Sequence, residues 1–340
     1  MAKFEKVIFW SIFLLLPTIV LGKSNCTCDP DEGVVNKTKA LHYKLGAIAS
    51  ILVASAIGVC IPVLGKAIPA LSPERNFFFI IKAFAAGVIL ATGFIHVLPD
   101  AFDKLTKPCL KEQPWGKFPF SGFVAMVAAM GTLMVDTYAT SYYNKKNDLK
   151  NDEGDNHVHS HATNGHAHSS ESMMSGSDSE LLRYRVISQV LELGIIVHSV
   201  IIGIALGASG DPNKVRSLIA ALTFHQFFEG MGLGGSIAQA KFKSLAVSIM
   251  ALFFSLTTPI GIAIGIGITK GYNENDQKAL IVEGVFNSAS AGILIYMALV
   301  DLLAADFMHP RMQCNRKLQL GANVSLLFGA GLMSLMAKWA

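Results

Sequence analysis

Of 340 residues, 52% are hydrophobic and 15% are charged, well short of the roughly 25% charged residues of a soluble domain. With a mean hydropathy of +0.46, this composition excludes an ordinary soluble domain and points to a membrane protein. A formal net charge of +4 without a basic stripe excludes a nucleic-acid partner, since nothing would neutralise a row of phosphates.

Residues 1–22 read as a cleavable signal peptide. Lys3 and Lys6 precede an apolar run that ends in the small-residue exit Val20-Leu21-Gly22, and that run is short for a span. Residues 23–44 follow as an extracellular tail. Asn25-Cys26-Thr27 and Asn36-Lys37-Thr38 are candidate glycosylation sequons at Asn25 and Asn36. Cys26, Cys28 and Cys109 fall in segments expected outside, where a disulfide can form, but its pairing is not readable from spacing. Cys60 and Cys314 read as an apolar helix residue and a cytoplasmic thiol. With no CxxC pair, a structural zinc ribbon is not expected.

A span needs about 20 mainly apolar residues. Eight segments qualify after the signal: 45–65, 78–98, 120–140, 186–209, 217–239, 245–268, 280–303 and 320–338. The expected fold is an all-α polytopic membrane protein with eight transmembrane helices in a 3+5 arrangement, three in residues 45–140 and five in 186–340. An even number puts both mature ends on one side, and the signal and sequons make that side extracellular. Lys and Arg divide almost evenly between the two sides, so charge bias adds little.

Residues 141–185, between helices 3 and 4, are polar, Ser/Gly-rich and nearly free of large apolar side chains. Such a stretch cannot bury enough surface to fold alone and reads as a disordered cytoplasmic loop. Within it His157, His159, His161, His166 and His168 alternate with small residues, a pattern for weak multidentate metal binding. A solvated linker is the bland alternative. Lys146 and Lys150 are candidate ubiquitin acceptors. In the later spans Gly203 and Gly207, Gly230 and Gly234, and Gly261 and Gly265 are spaced for close helix contact.

An ionisable group at the bilayer centre costs roughly 2.5–3.5 kcal/mol on insertion scales, so each one in a span needs a reason. Span two holds His96 and Asp100, and span three Asp136. Span four holds Glu192, His198 and Ser199. Span five holds His225, Gln226 and Glu229, and span seven Asn287 and Asp301. Residues four apart share a helix face, so His225 and Glu229 point one way, and so do His96 and Asp100. If spans four and five face each other, imidazole and carboxylate groups meet at midplane depth. Those ligands suit Zn²⁺, Fe²⁺ and Mn²⁺. No thiolate joins them, so binding stays loose. At an on-rate of about 10⁸ M⁻¹s⁻¹, a micromolar site releases about 100 ions per second, as a conduit must.

Bland readings stand beside these. His225 and Glu229 can be hydrogen-bonded helix glue, and His96 an interfacial residue. Asp100 can be a solvated loop carboxylate. Glu192 lies off the His198 face and reads as structural. Asp136 can pair with a basic loop residue.

Four stretches carry a family resemblance: GFIHVLPDAF in span two, LELGIIVHSVIIGIALG in span four, LIAALTFHQFFEGMGLGGSI in span five and LIYMALVDLLAADF in span seven. With them the chain resembles the Zrt/Irt-like (ZIP) metal transporters, especially the plant iron-regulated branch. The resemblance implies uptake of divalent metal into the cytosol, with no permanent cofactor and Zn²⁺ or Fe²⁺ as substrate. Mn²⁺, Co²⁺ and Cd²⁺ are fellow passengers. It implies a transport site of His198, Ser199, His225, Gln226 and Glu229 between helices 4 and 5. His96 and Asp100 would serve at the entrance, Asp136 in selectivity and Asp301 at the exit side.

The sequence departs from the family at one point. Other branches carry H-N-x-P-E-G in span four, whereas this chain reads His198-Ser199-Val200-Ile201-Ile202-Gly203. Ile202 replaces a glutamate ligand, so one principal ion is expected on His198, His225 and Glu229. The partners implied are metal ions and the lipid bilayer, with the plasma membrane as the expected location and homodimerisation open. The competing readings are a membrane metal sensor or receptor and an intramembrane metalloenzyme. HExxH and repeated His boxes are absent, so the chain is not expected to be an enzyme.

Overall fold

A computed structural model describes residues 37–65, 75–110, 112–152, 176–268 and 276–338. The signal peptide, Asn25, Asn36 and the five loop histidines lie outside these residues. The described chain is helical, with short connections. Its long helices are α1 (Lys37–Leu64), α2 (Asn76–Leu105), α3 (Phe120–Asp152), α4 (Gly176–Ala208), α5 (Pro212–Ala240), α6 (Ser244–Ile268), α7 (Gln277–Phe307) and α8 (Arg316–Ala337). A helix satisfies every backbone N–H and C=O within its own segment, as lipid demands.

Seven of these helices are long and apolar enough to cross a membrane. The exception is α5, so apolarity and length account for seven of the eight expected spans. At 29 residues it is about 43 Å long, but His225, Gln226, Glu229 and the glycines after them dilute its apolar character. The helices also overrun their expected ends. Hydropathy marks where lipid stops, whereas hydrogen bonding carries α3 on to Asp152 and starts α4 at Gly176. Residues 141–152 and 176–185 of the expected loop are therefore helical, and 153–175 lie outside the described residues.

The limits of α5 follow from its sequence. The Asp211 side chain accepts a hydrogen bond from the Asn213 N–H at 2.8 Å, with Pro212 at the first helical position, a standard start. It ends at Lys241, whose φ of 49° is left-handed, the usual way to stop a helix.

The helices sort into two groups by packing. In one, α1 lies along α5, α4 along α6, and α1 and α4 also touch α6 and α5. In the other, α2 lies along α8 and α3 along α7, with α2 against α7. Glycine permits the closest approaches. A Cβ on Gly203 would stand 2.7 Å from the Thr258 carbonyl oxygen and 3.0 Å from Gly261 Cα, and one on Gly230 would stand 2.9 Å from the Val59 nitrogen. All three expected glycine pairs sit at such crossings. The groups meet in a core of Val59, Ile89, Leu191, Leu233, Phe254 and Leu294. Only 11% of the apolar window of α3 and 17% of that of α8 is buried, against 67% of α2, so α3 and α8 form the lipid-facing margin.

Helices α2 and α7 are each interrupted by a π-helical stretch, Thr92–Val97 and Met297–Ala304. The first packs against the regular part of α7, and the second against the regular part of α2. Such widened turns are frequent at functional sites. His96 lies in the first and Asp301 in the second.

Candidate metal site

His198 on α4 and His225 and Glu229 on α5 meet inside the bundle. Each is at most 1% exposed, and one ligating atom from each lies within 4.8 Å of the others. Among the described residues this is the one group of three or more His, Cys, Asp or Glu so arranged. His198 Nε2 is 3.9 Å from Glu229 Oε1, and the two imidazole centroids are 5.8 Å apart. Neighbouring ligands of a tetrahedral ion with bonds near 2.0–2.1 Å stand about 3.4 Å apart, so a small contraction closes this set on an ion.

The helix-glue reading of His225 and Glu229 calls for hydrogen bonds to these side chains. Among the described residues, both His225 nitrogens, both Glu229 oxygens and His198 Nε2 are buried without a hydrogen-bond partner, as are Ser199 Oγ and Gln226 Nε2. An unsatisfied buried polar group costs about 1–3 kcal/mol. A concentration of them, in imidazole and carboxylate chemistry, fits a divalent cation. Two imidazoles and one carboxylate make a donor set that suits Zn²⁺ and Fe²⁺.

Supporting contacts come from other helices. His198 Nδ1 is 2.6 Å from Ser290 Oγ on α7. Thr258 on α6 donates to Gln226 Oε1 at 3.3 Å. Ile202, where other branches carry glutamate, packs on the apolar cluster of Ile51, Leu206 and Ile262.

Of the other expected residues, His96 borders this cluster, and Asp100 and Asp136 make contacts of their own. His96 is half-buried, its ring 6.4 Å from that of His225. Asp100 accepts from Asn287 Nδ2 at 2.5 Å and lies 4.0 Å from Lys104, so it is no free loop carboxylate. Asp136 accepts from the Tyr296 hydroxyl at 3.1 Å. Asp301 is 2% exposed, and among the described residues neither of its oxygens has a hydrogen-bond partner. Cys60 and Cys314 are free thiols, and Cys109 is disulfide-bonded.

Sequence reasoning missed a polar knot. Lys82, 2% exposed, donates to Asp306 Oδ1 on α7 at 2.8 Å and to Gln239 Oε1 on α5 at 3.0 Å. Its ammonium also sits 5.9 Å from the Tyr184 ring centre on α4. The signal was present: a lysine inside the apolar run FFFIIKAFAAG. Toward the other ends of α2 and α7, Lys104 pairs with Glu283. Ser290 carried no signal, since it sits in a run of small residues.

Comparison with known proteins agrees with this chemistry. A family model described as "ZIP Zinc transporter" matches residues 41–337. The chain is 54% identical to "Zinc transporter 3" of Arabidopsis thaliana over 339 residues, covering 98% of this chain and 97% of that one. It is 53% identical to "Zinc transporter 8" of Oryza sativa subsp. japonica, covering 90% of each. It is 50% identical to "Fe(2+) transport protein 1" of the same rice, covering 93% of this chain and 90% of that one.

Proposed function

The chain belongs to the ZIP zinc transporter family, and we propose that it carries Zn²⁺ and Fe²⁺ into the cytosol through His198, His225 and Glu229. The observation that carries this reading is the buried three-ligand cluster whose ligating atoms lack protein partners. Its relatives are named as transporters rather than enzymes, and two of them by zinc and iron. Mn²⁺, Co²⁺ and Cd²⁺ share the ligand preference and travel as minor cargo.

In this reading α5 is the eighth span. Its polar centre is tolerated because other helices enclose it, as intramembrane ionisable groups that mark an ion pathway usually are. The mature termini are extracellular and the plasma membrane is the site of action. His96 and Asp100 receive the ion, and Ser199 and Gln226 flank it at the centre. Asp136 and Asp301 lie on its way out. Relative movement of the helix groups opens the centre to each side in turn, as in other transporters. The histidine-rich loop acts as a cytosolic metal buffer or sensor.

The test is uptake of ⁵⁵Fe²⁺ and ⁶⁵Zn²⁺ by metal-starved cells expressing the chain or Glu229→Gln, with surface abundance matched. Saturable uptake by the wild type that vanishes in Glu229→Gln is expected. Normal uptake in the variant would move the site elsewhere, and a surface-resident wild type carrying neither metal would end the transport reading.

A further inference from the structure

The His198–Ser290 contact joins the two helix groups at the candidate site. His198 rides on α4, in one group, and Ser290 on α7, in the other. Both are buried, Ser290 completely. The approach of α7 to α4 is built in: Gly194, one turn before His198, leaves room that the Met297 and Ile293 side chains fill, and a Cβ there would collide with both. Asn287, one turn before Ser290, holds Asp100. One face of α7 thus touches the central histidine and the outer carboxylate.

Ser290 is unlike most hydroxyls in these helices. Ser288, two residues away, donates to the Gly284 carbonyl at 2.7 Å, and Ser55, Thr92 and Ser255 make the same bond to the residue four before them. That is how a hydroxyl is ordinarily satisfied inside a helix. The bond shown for Ser290 goes instead to an imidazole on another helix.

The consequence is chemical. A neutral imidazole has one N–H and one lone pair, and the partner of the first nitrogen decides which nitrogen carries the lone pair. Nε2 faces Glu229 Oε1 at 3.9 Å, too far for a hydrogen bond. It can serve an ion only if the hydrogen is on Nδ1. A hydroxyl oxygen at 2.6 Å is placed to accept that hydrogen.

We propose that Ser290 is a positioning residue for metal binding, holding His198 in the tautomer and orientation that present the Nε2 lone pair to the ion. The inference rests on the transport-site reading above and deepens it. Partners one bond removed from a metal typically change affinity 10–100-fold when lost. Because the bond comes from the opposite helix group, the full grip exists only while the two groups keep this alignment.

Two measurements on Ser290→Ala, with Ser288→Ala as control, test it. The first is the concentration dependence of ⁶⁵Zn²⁺ uptake at matched surface abundance. The second is Zn²⁺ binding to the purified full chain by chelator competition. Ser290→Ala removes one oxygen and leaves the helix intact. It is expected to raise KM and Kd together by about 10–100-fold with the maximal rate little changed, while Ser288→Ala leaves both constants near wild type. Unchanged KM and Kd in Ser290→Ala would overturn the proposal. So would a lower maximal rate with unchanged affinity, or an equal rise in Ser288→Ala. If the wild type binds zinc but carries none, the transport reading fails, and the binding comparison still decides the role of Ser290.

Discussion

Glu229, His225 and His198 were conspicuous in the sequence because lipid makes any ionisable group conspicuous. The same rule should have picked out Lys82, but a lysine six residues into a helix reads by default as one that snorkels to the interface. Instead it is buried against Asp306 and Gln239. Removing one partner of a buried ion pair costs about 3–5 kcal/mol, whereas replacing both by apolar residues is often neutral. Lys82→Met is therefore expected to lower the melting temperature and surface abundance, and Lys82→Met with Asp306→Leu to recover most of the loss. Thermal melting of the purified variants checks this. The ligand chemistry sets a second expectation. Imidazole must be deprotonated to hold a metal, so the KM for zinc should rise as external pH falls at fixed free zinc. Uptake kinetics in metal-buffered media would measure it.

Helix positions were legible from apolar runs, and their widened turns were not, because a π-helical turn inserts a residue without changing composition. Crossing points were half legible. Spacing identified Gly203, Gly207, Gly230, Gly234, Gly261 and Gly265, but not which helix each would meet. The geometry separates these from glycines in open space, such as Gly131 and Gly331, where an added Cβ meets nothing within 4 Å. In a helix interior alanine is favoured over glycine by roughly 0.5–1 kcal/mol. Gly131→Ala and Gly331→Ala are expected to match or exceed wild-type stability. Gly207→Ala and Gly234→Ala, which press into backbone across a crossing, are expected to fall below it by about 1–3 kcal/mol. Melting curves of the four single variants decide it.

At the scale of the molecule, division into two helix groups was not legible, because it depends on which faces pair and not on any one segment. The proposed cargo has a bearing on the stability of the whole. A ligand that binds the folded state alone stabilises it by about 2.7 kcal/mol at 100 times Kd. Zinc is expected to raise the melting temperature of the wild type and to leave Glu229→Gln unmoved, which a thermal-shift titration reads directly.

The boundary between the groups combines close apolar packing with buried polar bonds, two of which are His198–Ser290 and Lys82–Gln239. Apolar surfaces in shear exchange one set of contacts for another at little cost. A buried hydrogen bond has no such substitute halfway and must be lost before another forms. In the proposed alternating movement these two bonds would act as detents, raising the activation barrier between alignments and with it the dwell time of each.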